Sequence, residues 1–280
     1  MNDNVHEYYK EFTDGFTPSG HFHKVLSLHE SPEMEWEKIS DLAPSLPRGW
    51  YELSRLPSED RIEFVRDYWL SKLPYIPHVH ESLTKFFLTL DNIGIYVTQK
   101  TYEDSFNAQL VYSLKENQGF YHGYPPLQEK KILDLERKFE ALVLPLNYLL
   151  PEDYLAFLEI HDGFSKYTDT GLIKSEELEG YYLNFQKFLE KDGILEEMVG
   201  KKEKEVNPRS LIPFYESFGL HSYQCFWGEW YPEQEMGNVY YSGIENNLSD
   251  IENKEEWLDN MAFPTFLDWI VFYLESVLND

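Results

Sequence analysis

The residues best placed to do chemistry lie in one short run, Trp227-Gly-Glu-Trp-Tyr-Pro-Glu-Gln-Glu-Met-Gly237, between two strand-like stretches. Aromatic faces attract a guanidinium and carboxylates pair with it. Trp227, Glu229, Trp230, Tyr231, Glu233 and Glu235 therefore read as a contact surface for a basic protein partner. Two of the glutamates can instead be read as the acid and base of a small hydrolase acting on a glycoside. The third reading is an acidic loop whose aromatics plug the edge of a core, carboxylates being common surface residues here.

Other reactive residue types are sparse. Two His-x-His pairs, His21/His23 and His78/His80, have the spacing at which a strand turns both imidazoles to one side and shares zinc with further ligands. His78-Val-His80 follows Pro77 at a predicted helix start, where the two rings diverge, and His21/His23 sits in a stretch without periodicity, so no metal site is expected. Cys225 is the only cysteine, which excludes an internal disulfide and any multi-cysteine metal site. It stands in an aromatic run without a base nearby and reads as a buried thiol. The chain has no G-x-x-x-x-G-K-[ST], no G-x-G-x-x-G after a strand, no G-x-S-x-G and no H-E-x-x-H. Gly119-Phe-Tyr-His-Gly123 has the wrong spacing for a dinucleotide loop and reads as a turn between aromatics. Neither a cofactor nor a catalytic residue is expected.

Charge narrows the partner. Fifty Asp and Glu against 24 Lys and Arg leave a net charge of −26. Such a surface repels phosphate backbones and anionic lipid, which argues against nucleic acid or membrane as partner. It draws in a basic protein at a rate that falls with salt, although acidity also serves solubility alone. No run approaches the ~20 apolar residues of a membrane span, and Met1–Glu7 lacks the basic and apolar regions of a signal peptide, so a cytoplasmic location is expected.

The elements that must position these residues can be read from spacing. Residues 1–57 carry five prolines, at 18, 32, 44, 47 and 57, and predict a loosely ordered arm. Ser58 reads as an N-cap, with Glu59-Asp60 in the first turn and Ile62, Val65 and Trp69 on one face. A second helix is predicted over 78–91, through Val79, Leu83, Phe86, Phe87 and Leu90. Ile93–Gln99 and Ala108–Leu114 then read as strands of a hairpin, the second half-buried. Ile132, Leu135, Phe139 and Leu142 mark another helix. Leu150–Gly163 marks a short one, opened by Pro151, with Glu152 and Asp153 on its positive end and Asp162-Gly163 as the stop. A helix over roughly 175–199 ends in the mixed-charge run Gly200–Glu205, an expected loop. Three short strands (Leu211–Phe214, Tyr223–Trp227, Asn238–Ser242) precede a closing helix. Its stripe is Phe266, Trp269, Ile270, Tyr273, Leu274, Val277 and Leu278. Helices, short antiparallel strands and a closing helix describe an α+β fold, an antiparallel sheet flanked by helices.

The pattern LPxDYxxFLxxHxG over Leu150–Gly163, after the amphipathic ILDLERKFEALVLP of 132–145, resembles the opening of the SUKH superfamily, the group of fungal cell-wall-assembly regulators and bacterial toxin-immunity proteins. LIPF at 211–214, YQCFW at 223–227, GNVYY at 237–241 and FPTFLDWIVFYL at 263–274 resemble its strands and closing helix, in order. The resemblance covers about residues 126–280. The chain departs from the family in its long N-terminal extension and in the long, charged stretch between Gly163 and Leu211. The resemblance implies a SUKH-like domain over 126–280, with 1–125 as an extension of arm, two helices and a hairpin. It further implies a non-enzymatic protein-binding module, either an immunity-like inhibitor of a toxin domain or a regulator of an assembly such as cell-wall synthesis. A small hydrolase and a structural subunit of a larger complex are the alternatives.

Overall fold

Leu110, Tyr112 and Leu114 alternate with Val111 and Ser113 along a strand whose residues are buried on both sides. That strand is the middle of a five-stranded antiparallel sheet in a computed structural model that describes residues 1–12, 20–31, 33–142, 149–190, 206–217 and 221–275. The chain divides into two compact units, one of residues 1–126, 160–167 and 274–280, the other of 127–159 and 168–273.

In the first unit the strands β1 (Lys24–Ser27), β2 (Leu90–Gln99), β3 (Asn107–Leu114), β4 (Phe120–Gly123) and β5 (Phe164–Lys166) pair in that order, all antiparallel. The predicted hairpin is its centre. Gly119–Gly123 is not a turn, because Phe120–Gly123 pairs with β3 on one side and β5 on the other. The helices are α1 (Asp3–Tyr8), α2 (Trp36–Leu42), α3 (Arg48–Leu53), α4 (Ser58–Lys72) and α5 (Pro77–Leu88). Trp69 of α4 and Phe86 and Phe87 of α5 meet Tyr112 of β3 on one face. On the other face Val5, Tyr9 and Phe22 cluster with Tyr96, Val111 and Phe120. The N-terminal residues thus form a cover rather than a loose arm: Tyr9 stacks on Tyr96 at 4.1 Å and donates its hydroxyl to Gln109 Oε1 at 2.9 Å. This cover is why β3 is fully rather than half buried. Ser58 begins α4 without capping it. Pro57 holds the cap position, and the Ser58 hydroxyl donates instead to Asn92 Oδ1 at 2.8 Å.

The second unit contains α6 (Glu129–Leu142), α7 (Glu152–Leu158), α8 (Ser175–Glu190) and α9 (Phe266–Glu275) up to Tyr273. Its sheet pairs β6 (Gly171–Leu172), β7 (Leu211–Ser217), β8 (Ser222–Trp227), β9 (Asn238–Ser242) and β10 (Asn247–Leu248), again in chain order and antiparallel. Along β8, Tyr223, Cys225 and Trp227 face a cluster with Phe185 and Leu189 of α8. Phe226 faces the other way, where it stacks on Phe214 at 4.1 Å and meets Tyr154 of α7 and Phe266 of α9. Phe266, Trp269, Ile270 and Tyr273 are buried, as the stripe predicts. The Asp162-Gly163 stop places Gly163 at φ 99°, a left-handed conformation that glycine adopts without strain. The fold is α+β, with antiparallel sheets flanked by helices. Residues 191–199 of the predicted long helix, the run Gly200–Glu205, Leu144-Pro145, and Val277 and Leu278 lie outside the described residues.

Candidate functional site

The 227–237 run joins β8 to β9 in the second unit. Trp227 is only 3% exposed and Trp230 only 9%. Both belong to the α8-facing core, with Trp230 packed edge-on against Trp257 at 5.1 Å. Gly237 is required for this, since a Cβ there would lie 2.4 Å from the Trp230 ring. The two indoles therefore plug the core edge. What the run presents to solvent is Tyr231, with Glu229, Glu233 and Glu235, and Glu233 pairs with Lys254 at 3.1 Å. Cys225 is buried in the same cluster, and desolvation pushes its thiol well above its ordinary pKa, so it is no nucleophile as placed. His78 and His80 open α5, and no group of three or more metal-ligating side chains occurs among the described residues.

A different part of the second unit forms an open concavity. Between α8 and the β7–β8 hairpin lies an open cleft of about 570 Å³, walled by Tyr181, Phe185 and Phe188 of α8 and by Glu216 and Tyr223 of the strands. Glu177 and His221 stand at its rim, His221 stacked on Phe188 at 5.7 Å. The local sequence explains the placement. A bulge in β7 between Pro213 and Tyr215 is tolerated because proline has no N–H to give to the ladder. Through it, Phe214 and Tyr215 both pack on Trp269 of α9, and Glu216 is turned to the α8 side.

Glu216 is thus a strand carboxylate only 8% exposed, lining a cleft rather than facing solvent. The phenols beside it respond. Burial, followed by the nearby Glu216 charge, raises the pKa of Tyr181 and of Tyr223. Both therefore stay protonated near neutrality, and the Tyr223 hydroxyl lies 3.4 Å from His221 Nδ1. A carboxylate beside two phenols and between aromatic walls is chemically suited to a cation, above all a guanidinium, which pairs bidentately and stacks on rings. It is poorly suited to acid–base work, because raised tyrosine pKa values move these groups away from titration near neutrality.

Glu216, Tyr181 and Tyr223 escape a sequence reading. Strict alternation along LIPFYES puts Glu216 on the side of Ile212 and Phe214, and only the bulge reverses it. The one signal was Pro213 inside a strand-like run, which marks a bulge or an edge. No family model, curated protein or solved structure matches the chain.

Proposed function

We propose that the chain is a non-enzymatic, SUKH-type binding module that holds a basic protein, with the cleft beside α8 as the seat for a basic side chain. In this reading it acts as an immunity-like inhibitor of a toxin domain or as a regulator of an assembly such as cell-wall synthesis. The observation that carries it is the Glu216 carboxylate, sunk among tyrosines in a cleft that stays open. A carboxylate at low exposure loses hydration, and an incoming guanidinium restores what was lost. The net charge of −26 supports the same partner class at long range, and Tyr231 with Glu229, Glu233 and Glu235 supplies a second exposed acidic-aromatic patch on this unit. The family resemblance over residues 126–280 points to the same class of function.

The test is affinity capture from native lysate with the wild type, Glu216→Gln and Gly180→Leu. Gly180 lines the cleft and a Cβ there meets nothing within 4 Å, so the backbone accepts a side chain at the cleft wall. A basic protein retained by the wild type, eluted by graded salt and lost from both variants is the expected result. Identical retention by all three would remove the cleft from the reading. Hydrolysis of a glycoside or ester by the purified protein, abolished when Glu229, Glu233 and Glu235 are all changed to Gln, would replace it with the enzymatic one.

A further inference from the structure

The first unit contains a cavity of about 220 Å³ beneath α3 and α4, lined among others by Trp50, Phe64, Tyr68, Trp69, Tyr112 and His161. No Asp, Glu, Lys or Arg lines it, which is notable in a chain where charged residues make up 26%. The polar atoms on its floor are engaged with one another. His161 is fully buried, and desolvation holds it neutral by lowering its pKa to about 4. Its Nδ1 faces the Tyr124 carbonyl at 2.9 Å, and a carbonyl only accepts, so Nδ1 carries the proton. Nε2 is then the acceptor for the Tyr112 hydroxyl at 2.6 Å, and Tyr112 in turn accepts from Trp69 Nε1–H at 3.1 Å. Gly123 makes room for the imidazole, since a Cβ there would lie 2.3 Å from it.

These features decide what fits. An ion entering the cavity loses its hydration and finds no counter-charge, a loss that attraction to aromatic faces does not offset. A strongly polar ligand finds the donors of Trp69, Tyr112 and His161 already committed. Size sets the rest: an apolar cavity of roughly 150 Å³ holds benzene, and this one is somewhat larger. We propose that the cavity is a binding site for a free, neutral aromatic molecule of one or two fused rings. The proposal does not depend on the cleft of the second unit or on a protein partner.

The seven tryptophans provide the measurement, because Trp50 and Trp69 line the cavity and Trp227, Trp230, Trp257 and Trp269 belong to the other unit. The full-length protein, labelled with ¹⁵N at the indole nitrogens, is titrated with indole as probe. The expected result is a saturable change in the Trp50 and Trp69 Nε1–H signals, with those of the second unit still. Phe64→Ala is expected to weaken binding by about tenfold, the size of one aromatic contact. Phe64 is 57% exposed, so its removal leaves the core filled. Trp50→Phe serves both to assign its signal and as a second, milder variant. Changes spread over all seven indoles, or unchanged affinity in both variants, would overturn the proposal. So would tetramethylammonium binding more tightly than indole, or N-acetyl-tryptophanamide doing so, the latter marking the site as a seat for a partner's side chain.

Discussion

Asp153 sits in the first turn of α7 and is only 5% exposed. Burial raises its pKa to about 6, against the opposing effect of N–H groups donated by Leu267 at 3.0 Å and Tyr154 at 2.9 Å. With the folded pKa above the unfolded one, the group's contribution to stability is complete below about pH 4 and is lost as pH rises through about 6. Asp153→Asn keeps an oxygen for the Leu267 N–H and removes the titration. Relative to the wild type, that variant is expected to gain about 2 kcal/mol between pH 4 and pH 7, since each tenfold difference in proton affinity between the folded and unfolded chain is worth about 1.4 kcal/mol and the unfolded carboxyl is already partly ionised at pH 4. Urea titrations of both proteins across that range check it, and parallel stability curves would show that the carboxylate is better solvated than its burial implies. Taking the difference between the two proteins matters because His29 and His161 act in the opposite sense. Their pKa values are lowered to about 4, so the stability they lend is present above pH 6.5 and lost below it.

At the scale of elements, the N-terminal segment and the closing helix differ in how they are held. Helix α1 has six residues and relies on Asn2, whose side chain accepts from Val5 N–H and donates to the carbonyls of Leu114 and Gly119 at 2.9 and 2.6 Å. Asn2→Ala removes a cap and one donor from each of the Leu114 and Gly119 carbonyls, Gly119 still accepting from Leu114 N–H at 3.0 Å, and is expected to cost about 1–2 kcal/mol. Hydrogen exchange on β3 and β4 should then rise, whereas a truly loose arm would leave those amides unaffected. Helix α9 is held by packing: Trp269 is 1% exposed and touches Phe214, Tyr215 and Tyr273. Trp269→Ala is expected to cost about 3–5 kcal/mol in denaturant titration, and a loss under about 1 kcal/mol would mean that this face is not core.

The same contrast explains what could be read in advance. Elements with a sustained apolar period, α4, α5, α6, α8 and α9, and the β2–β3 hairpin were legible because their own residues carry the signal. The short α1, α2 and α3, and strands β1, β4 and β5, were not. Phe120–Gly123 becomes a strand only because β3 and β5 supply partners, and Val5, Tyr9 and Phe22 find their core on residues ~75–115 positions away. In the 227–237 run the residue types were legible but not their exposure. Glu216 was hidden by a one-residue bulge that no periodicity records.

For the whole molecule the governing quantity is the charge of −26. Among the described residues the ion pairs are mostly between exposed side chains, many at i,i+3 or i,i+4, such as Lys85–Glu81 and Arg48–Glu52. Pairs of that kind contribute little, so uncompensated carboxylates dominate the electrostatic free energy and repel one another. At about 0.01 M salt the Debye length is ~30 Å, and repulsion is felt across a domain; at 0.15 M it is ~8 Å. Two measurements on the same protein therefore move in opposite directions. The urea midpoint is expected to rise between 0.01 M and 0.15 M sodium chloride, because screening relieves self-repulsion in the compact state. Over the same interval the association rate with the captured basic partner is expected to fall, because screening also removes long-range steering, while Glu216→Gln and Tyr231→Ala act chiefly on dissociation. A midpoint that falls with salt would mean that local ion pairs outweigh the net charge. A salt-independent association rate would reduce the acidic surface to a solubility device and leave the cleft to find its partner by short-range contact alone.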